Sequence, residues 1–245
     1  MNLTEKYNSV LHYPLYFWKN RKHMHTMNFS SENREIRDVT KVVLRDYGSL
    51  FISQGEEESL RIEGEPEVLR TVKTWVNSGE LILDIDESWF QKTLSAVTSA
   101  IEGRSLKYHL MVKNLEGIYV QGAAQVKMTG LKTESIYLTL KGAGEMIITG
   151  IEAGLVDIDL PGAGVISASG RTDRLNVSVK GAGSYDGPRL ESRDARVSLR
   201  GVGKATVWAT GKLDAVVEGI GSIDYYGNPD IRQQVNGLGK VNHRS

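Results

Sequence analysis

Three sets of residues in this chain have the types and spacings that chemistry requires. The first is a series of Gly-x-Gly triplets: Gly142-Ala-Gly144, Gly162-Ala-Gly164, Gly181-Ala-Gly183, Gly201-Val-Gly203, Gly219-Ile-Gly221 and Gly237-Leu-Gly239, after a degenerate copy at Gly122-Ala-Ala124. Such pairs cradle phosphates when a third glycine follows and a helix begins. The third position holds Ile147, Ser167, Asp186, Thr206 and Asp224, so the nucleotide fingerprint fails. The second set is the carboxylates Asp157, Asp159, Asp186, Asp214 and Asp224. Glycosidic cleavage needs carboxylates facing each other across the bond. No Arg or His is grouped with these by spacing, and after residue 27 the chain has only His109 and His243. The third set flanks the triplets. Lys141, Lys180 and Arg200 stand immediately before them, in a column shared with Pro161 and Glu218. Trp208 and Tyr226 stand five residues after, in a column that begins Thr129, Thr149, Ser169. A partial basic ladder suits an anionic glycan, and two neighbouring aromatics form a flat platform for a sugar ring. The plainer readings are solvated lysines and aromatics packed on a partner subunit.

Composition narrows the field. The 245 residues carry 30 Lys+Arg against 30 Asp+Glu, a balance unlike that of a nucleic-acid binder. Without cysteine there is no disulfide, thiol nucleophile or thiolate metal site. No apolar run approaches the ~20 residues of a membrane span. Residues 1–27 differ from the rest, with three of the five His and a +3 charge. Their apolar stretch Leu11–Trp18 precedes its basic residues, the reverse of a secretory signal, which points to the cytoplasm. His23-Met24-His25 lacks a third ligand, so no metal is assigned. The segment reads as a disordered tail, with Met24 or Met27 as alternative translation starts.

The triplets recur 18 to 20 residues apart and hold half of the 26 glycines. Alternating runs such as IYLTLK, VDIDLP and LNVSVK precede them, which is the period of a strand with one buried face. The inward columns are Val120, Leu140, Leu160, Val179, Leu199, Val217, Val235 and Ile118, Leu138, Ile158, Val177, Val197, Ala215, Gln233. A second short run follows each triplet and usually closes on a glycine, as at Gly130, Gly150, Gly170, Gly211 and Gly227. Two strands and two turns fill the period and leave no room for a helix. The pattern predicts an all-β chain, a parallel β-helix or β-solenoid with about 20-residue coils. The twelve triplet glycines become its corners, where a Cβ is not tolerated. One domain spans 28–245, with irregular coils over 28–115 and regular ones over 116–245. A short helix is expected near 88–102, capped by Ser88, with Trp89, Phe90, Leu94, Val97 and Ile101 on one face.

This pattern resembles the head-GIN-domain family of auto-transporter adhesins. The matching residues are Gly48-x-Leu50-x-Ile52-x-Gln54-Gly55, Glu58-Ser59-Leu60-x-Ile62-Glu63, the serial corners, and Gly219-Ile-Gly221-Ser222-Ile223-Asp224-Tyr225-Tyr226-Gly227-Asn228-Pro229 with Gly237-Leu-Gly239. The resemblance spans roughly 32–243. It implies a right-handed β-helix, a non-enzymatic adhesive role and a site outside the cytoplasm, and it supplies no catalytic residues. The expectation is therefore a non-catalytic binding module with no cofactor, whose partner is a glycan or a protein surface. The competing expectations are a polysaccharide-active enzyme and a scaffold that assembles through its exposed coil ends.

Overall fold

The computed structural model describes residues 29–86 and 106–245. The tail at 1–27 and the helix expected at 88–102 lie outside the described residues. In chain order the elements are β1 (Ser30–Arg34), β2 (Lys41–Leu44), β3 (Tyr47–Gln54), β4 (Ser59–Gly64), α1 (Pro66–Leu69), β5 (Val72–Asn77), β6 (Glu80–Ile85), β7 (Lys107–Val112) and β8 (Gly117–Val120). Five long bent strands follow: β9 (Ala123–Leu140), β10 (Ala143–Leu160), β11 (Ala163–Val179), β12 (Ala182–Leu199) and β13 (Val202–Val217). The stack ends in β14 (Ile220–Tyr226), β15 (Asp230–Val235) and β16 (Leu238–His243). Together they form a β-solenoid of about six turns with about 20-residue coils.

Each long strand is one coil, folded into two arms and paired in parallel with the coils on either side. Alternation turns every second side chain of both arms into the space between them. Leu138, Ile158, Val177 and Val197 from one arm are buried there with Met146, Ile166, Tyr185 and Ala205 from the other. Volume is conserved between neighbours. Tyr185 is fully buried beside its register partner Ala205, and a Cβ on Gly187 would collide with the Tyr185 hydroxyl. The inward columns hold until the last coil. There Gln233 and Val235 are exposed, because no further coil covers them. Among the described residues, β15 and β16 pair on one side only, with β13 and β14.

The two ends of each arm pair turn differently. At the triplet corner, backbone packs on backbone. The Gly122 carbonyl accepts from Ala143 N–H at 3.0 Å, Gly142 from Ala163 at 3.0 Å, Gly162 from Ala182 at 3.1 Å and Gly181 from Val202 at 2.9 Å. A Cβ on Gly162 would fall on the Gly142 and Lys141 carbonyl oxygens. The opposite bend is looser in its first long coils, where it turns on a left-handed glycine, at φ 73° for Gly130 and 70° for Gly150, while a Cβ on Gly170 would again fall on backbone, that of Ile151.

The N-terminal half is built from shorter strands. β2 and β3 form a true first coil, parallel to β8 and β9. Its corner carries Asp46 where later coils carry glycine, and the Asp46 carboxylate accepts from Ile85 N–H at 2.7 Å. In the coil stacked on it glycine is required, because a Cβ on Gly122 would fall on the Asp46 carbonyl oxygen. Antiparallel strands then finish this end, with β4 between β1 and β7, and β5 folded on β6. Ser78 and Gly79, both at positive φ, make that hairpin turn.

The two kinds of turn predict unequal costs. Gly162→Ala forces backbone apart and should destabilise by roughly 3 kcal/mol or prevent folding. Gly130→Ala meets no atom within 4 Å and should cost about 1 kcal/mol, from its left-handed conformation alone. Urea unfolding midpoints check this. Equal losses would show that the corner is not the tighter site.

Candidate functional site

The opposite bend carries a groove of about 880 Å³ that runs along the solenoid axis. Small residues form its floor at Thr133, Ala153 and Thr172. Ser192 and Ala209 continue the same register column as fully buried residues, where the arms elsewhere insert Leu, Ile or Val. The hydroxyls of this column are used locally. Thr133 Oγ1 donates to Ser135 O at 3.2 Å, Thr172 Oγ1 to Arg174 O at 3.0 Å and Ser192 Oγ to Trp208 O at 2.7 Å. These bonds satisfy carbonyls where the chain leaves the ladder. Gln54 closes the N-terminal end, donating to Lys113 O and Lys132 O and accepting from Lys132 N–H.

One position before the floor residues, a wall column points outward. Its register partners run Lys132, Glu152, Arg171, Glu191, Trp208, Tyr226. Parallel strands stand ~4.8 Å apart, so the wall alternates in sign at that spacing and ends in two adjacent aromatics. Trp208 and Tyr226 are half-buried and, with Pro188, Gly227, His243 and Arg244, surround a shallow hollow of about 340 Å³. They are neighbours, as the sequence suggested, but their column is a different one. The register shifts between Asp186 and Glu191, so Ser169 pairs with Arg189 while Trp208 pairs with Glu191. The bulge around Gly187-Pro188 absorbs the difference.

The basic column lies at the opposite, triplet end of the arms, where Arg200 stands eight residues before Trp208. Lys180 Nζ is 2.8 Å from Asp159 Oδ1, and Arg200 Nε is 2.7 Å from Glu218 Oε2. Lys141 has no ion pair among the described residues. The carboxylates singled out by sequence are also dispersed. Asp157 accepts from Asn176 at 2.9 Å, and Asp214 faces Arg196 at 3.7 Å. Asp224 is almost completely buried and held by Lys204 at 2.8 Å, Asn242 at 2.8 Å and Arg244 at 3.1 Å. Burial pushes its pKa up, but the hydrogen bonds from Asn242, Lys204 and Arg244 outweigh that and hold the carboxyl down at about 2. Among the described residues no group of three or more His, Asp or Glu is placed to hold a metal ion, and no helix is long and apolar enough to cross a membrane.

The sequence did not single out Lys132, Glu152, Arg171 and Glu191. For three of them the signal was a place one or two residues after a closing glycine, as in Gly130-Leu131-Lys132, Gly150-Ile151-Glu152 and Gly170-Arg171. The varying bend length hides the column until the register is known.

Comparison with known proteins agrees with this architecture. A family model described as "putative auto-transporter adhesin, head GIN domain" matches residues 38–229. A crystal structure of a "putative adhesin" from Bacteroides fragilis superposes with a TM-score of 0.78 at 23% identity, covering 89% of this chain and 97% of that one. A "putative lipid binding protein" from Parabacteroides distasonis gives 0.67 at 19% identity, covering 90% and 98%. A "putative adhesin" from the same organism gives 0.62 at 17%, covering 89% and 98%. At these identities the likeness is one of fold. No curated protein matches the chain.

The clasp on Asp224 ties the C-terminal residues to the hollow beneath Tyr226 and makes stability depend on acid. Its carboxyl titrates lower when folded than when unfolded, at about 2 against 3.8. The contribution is therefore full above about pH 4 and is lost as pH falls through about 2, for roughly 2 kcal/mol in all. In urea unfolding from pH 5 to pH 2, Asp224→Asn should flatten this part of the acid dependence. An unchanged slope would show that the clasp is not coupled to folding.

Proposed function

The chain belongs to the head GIN domain family of auto-transporter adhesins, and from that premise we propose that it is a non-catalytic binding module outside the cytoplasm, whose groove takes a linear glycan of a cell envelope. The observation that carries this reading is the continuity of the Trp208–Tyr226 pair with the groove wall. A polymer lying along the axis meets polar side chains rung by rung and then stacks a ring on the aromatics, the usual division between orienting and anchoring groups. The solenoid supplies rigidity, so little order is gained on binding and little affinity is lost to it. The basic column stands at the triplet edge, away from the groove, and its Lys180 and Arg200 are already engaged by Asp159 and Glu218.

Catalysis finds less support. Asp157, Asp159, Asp214 and Asp224 each have their own partner, and none faces another across a cleft in the manner of a glycosidase pair. The relatives' descriptions as adhesins favour the same side.

A glycan-array screen followed by calorimetric titration tests the reading. Trp208→Ala and Tyr226→Ala should each weaken the best oligosaccharide about tenfold, the value of one lost ring stack. A reducing-sugar assay on the same samples should stay flat. Product release by the unaltered chain that Asp159→Ala abolishes would make it a polysaccharide-active enzyme instead. Unchanged affinity in both aromatic variants would remove the platform from the site.

A further inference from the structure

We propose that the groove selects a zwitterionic polysaccharide, one whose repeat carries both a cationic amine and an anionic carboxylate or phosphate; this rests on the glycan-binding reading above and specifies its ligand. The wall alternates Lys132, Glu152, Arg171, Glu191, and all four side chains are exposed. Neighbours of opposite sign stand one rung apart, yet none of the four makes an ion pair among the described residues. Elsewhere on the same arms such pairs do form, as in Lys180–Asp159, Arg196–Asp214 and Arg200–Glu218. The wall charges are thus presented to the groove.

Like charges recur every second rung, ~9.6 Å apart, about the length of two linked hexose rings. A linear glycan with one acidic and one amino group per repeat places an anion at Lys132 and Arg171 and a cation at Glu152 and Glu191. The far side of the groove is mixed as well, with Glu134, Asp173 and Arg193. A uniform polyanion is repelled by the acidic rungs and a uniform polycation by the basic ones. A neutral glycan desolvates charges without replacing their water. Each exposed contact is weak alone, but contacts repeated along one polymer reinforce one another. A peptide strand is disfavoured for a different reason. Peptides gain affinity by adding to a free strand edge, and the arms that flank the groove from β9 to β13 are paired on both sides.

The test is calorimetry with four oligosaccharides of one backbone. These are chitosan (amine only), carboxymethyl chitosan (amine and carboxylate), its N-acetylated product (carboxylate only) and chitin oligomer (neutral). An alternating Lys-Glu peptide is the fifth probe. Carboxymethyl chitosan should bind about tenfold more tightly than either singly charged relative at low salt, and the margin should shrink as salt rises. The double variant Glu152→Gln/Arg171→Gln, both at exposed positions, should bring the four sugars within about twofold of one another. Trp208→Ala should weaken all four alike and leave their order intact. If the sugars bind equally and the double variant changes nothing, charge selection is wrong while glycan binding stands. If no sugar binds, both readings fall. Tighter binding of the peptide would overturn the assignment to a polysaccharide.

Discussion

At every triplet corner, one coil's carbonyl oxygen occupies the place where the next coil's Cβ would sit. The hydrogen bonds from Ala143 to Gly122, Ala163 to Gly142 and Ala182 to Gly162 hold that contact at 3.0–3.1 Å. Only glycine permits it, and it fixes the rung spacing for the whole stack. The arms then have one available register, their inward side chains form continuous ladders, and outward ones line up with equal regularity. Asp46 takes the place of glycine at the β2–β3 corner and its carboxylate bonds to Ile85 N–H, while the glycine stacked on it, Gly122, is required because its Cβ would fall on the Asp46 carbonyl oxygen.

A corner so constrained has no freedom to vary, and the groove lies at the other bend. There the turn depends on single glycines such as Gly130 and Gly150, and its length changes from coil to coil. Small inward residues at Thr133, Ala153 and Thr172 form the groove floor, and the neighbouring outward column fills its rim with charge and, at the end, with Trp208 and Tyr226. Rigidity comes from one edge of the solenoid, and the proposed recognition surface lies on the opposite edge.

Much of this was legible before any coordinates. The corner positions, the inward columns from Leu138 to Val217 and the adjacency of Trp208 and Tyr226 follow from spacing and alternation alone. Three features were not legible, each for a physical reason. The charged wall is hidden because the bulge near Gly187-Pro188 and the shorter later bends break the simple count from corner to corner. The pairing of Lys180 with Asp159 joins adjacent columns and that of Arg200 with Glu218 joins neighbours within one, and a sequence gives column membership more readily than side-chain reach. The antiparallel finish at β1, β4 and β5 shows the same two-residue alternation as a parallel coil, so strand direction leaves no local mark.

Amide hydrogen exchange with and without a bound oligosaccharide tests the central claim, that recognition sits at the looser bend, most directly. Protection should rise in peptides that cover 132–135, 152–154, 171–173, 191–193 and Trp208. It should stay unchanged at the triplet corners, which are already closed by their own hydrogen bonds. Protection confined to the corner face around Lys141, Lys180 and Arg200 would contradict the account and move the binding surface to the opposite edge.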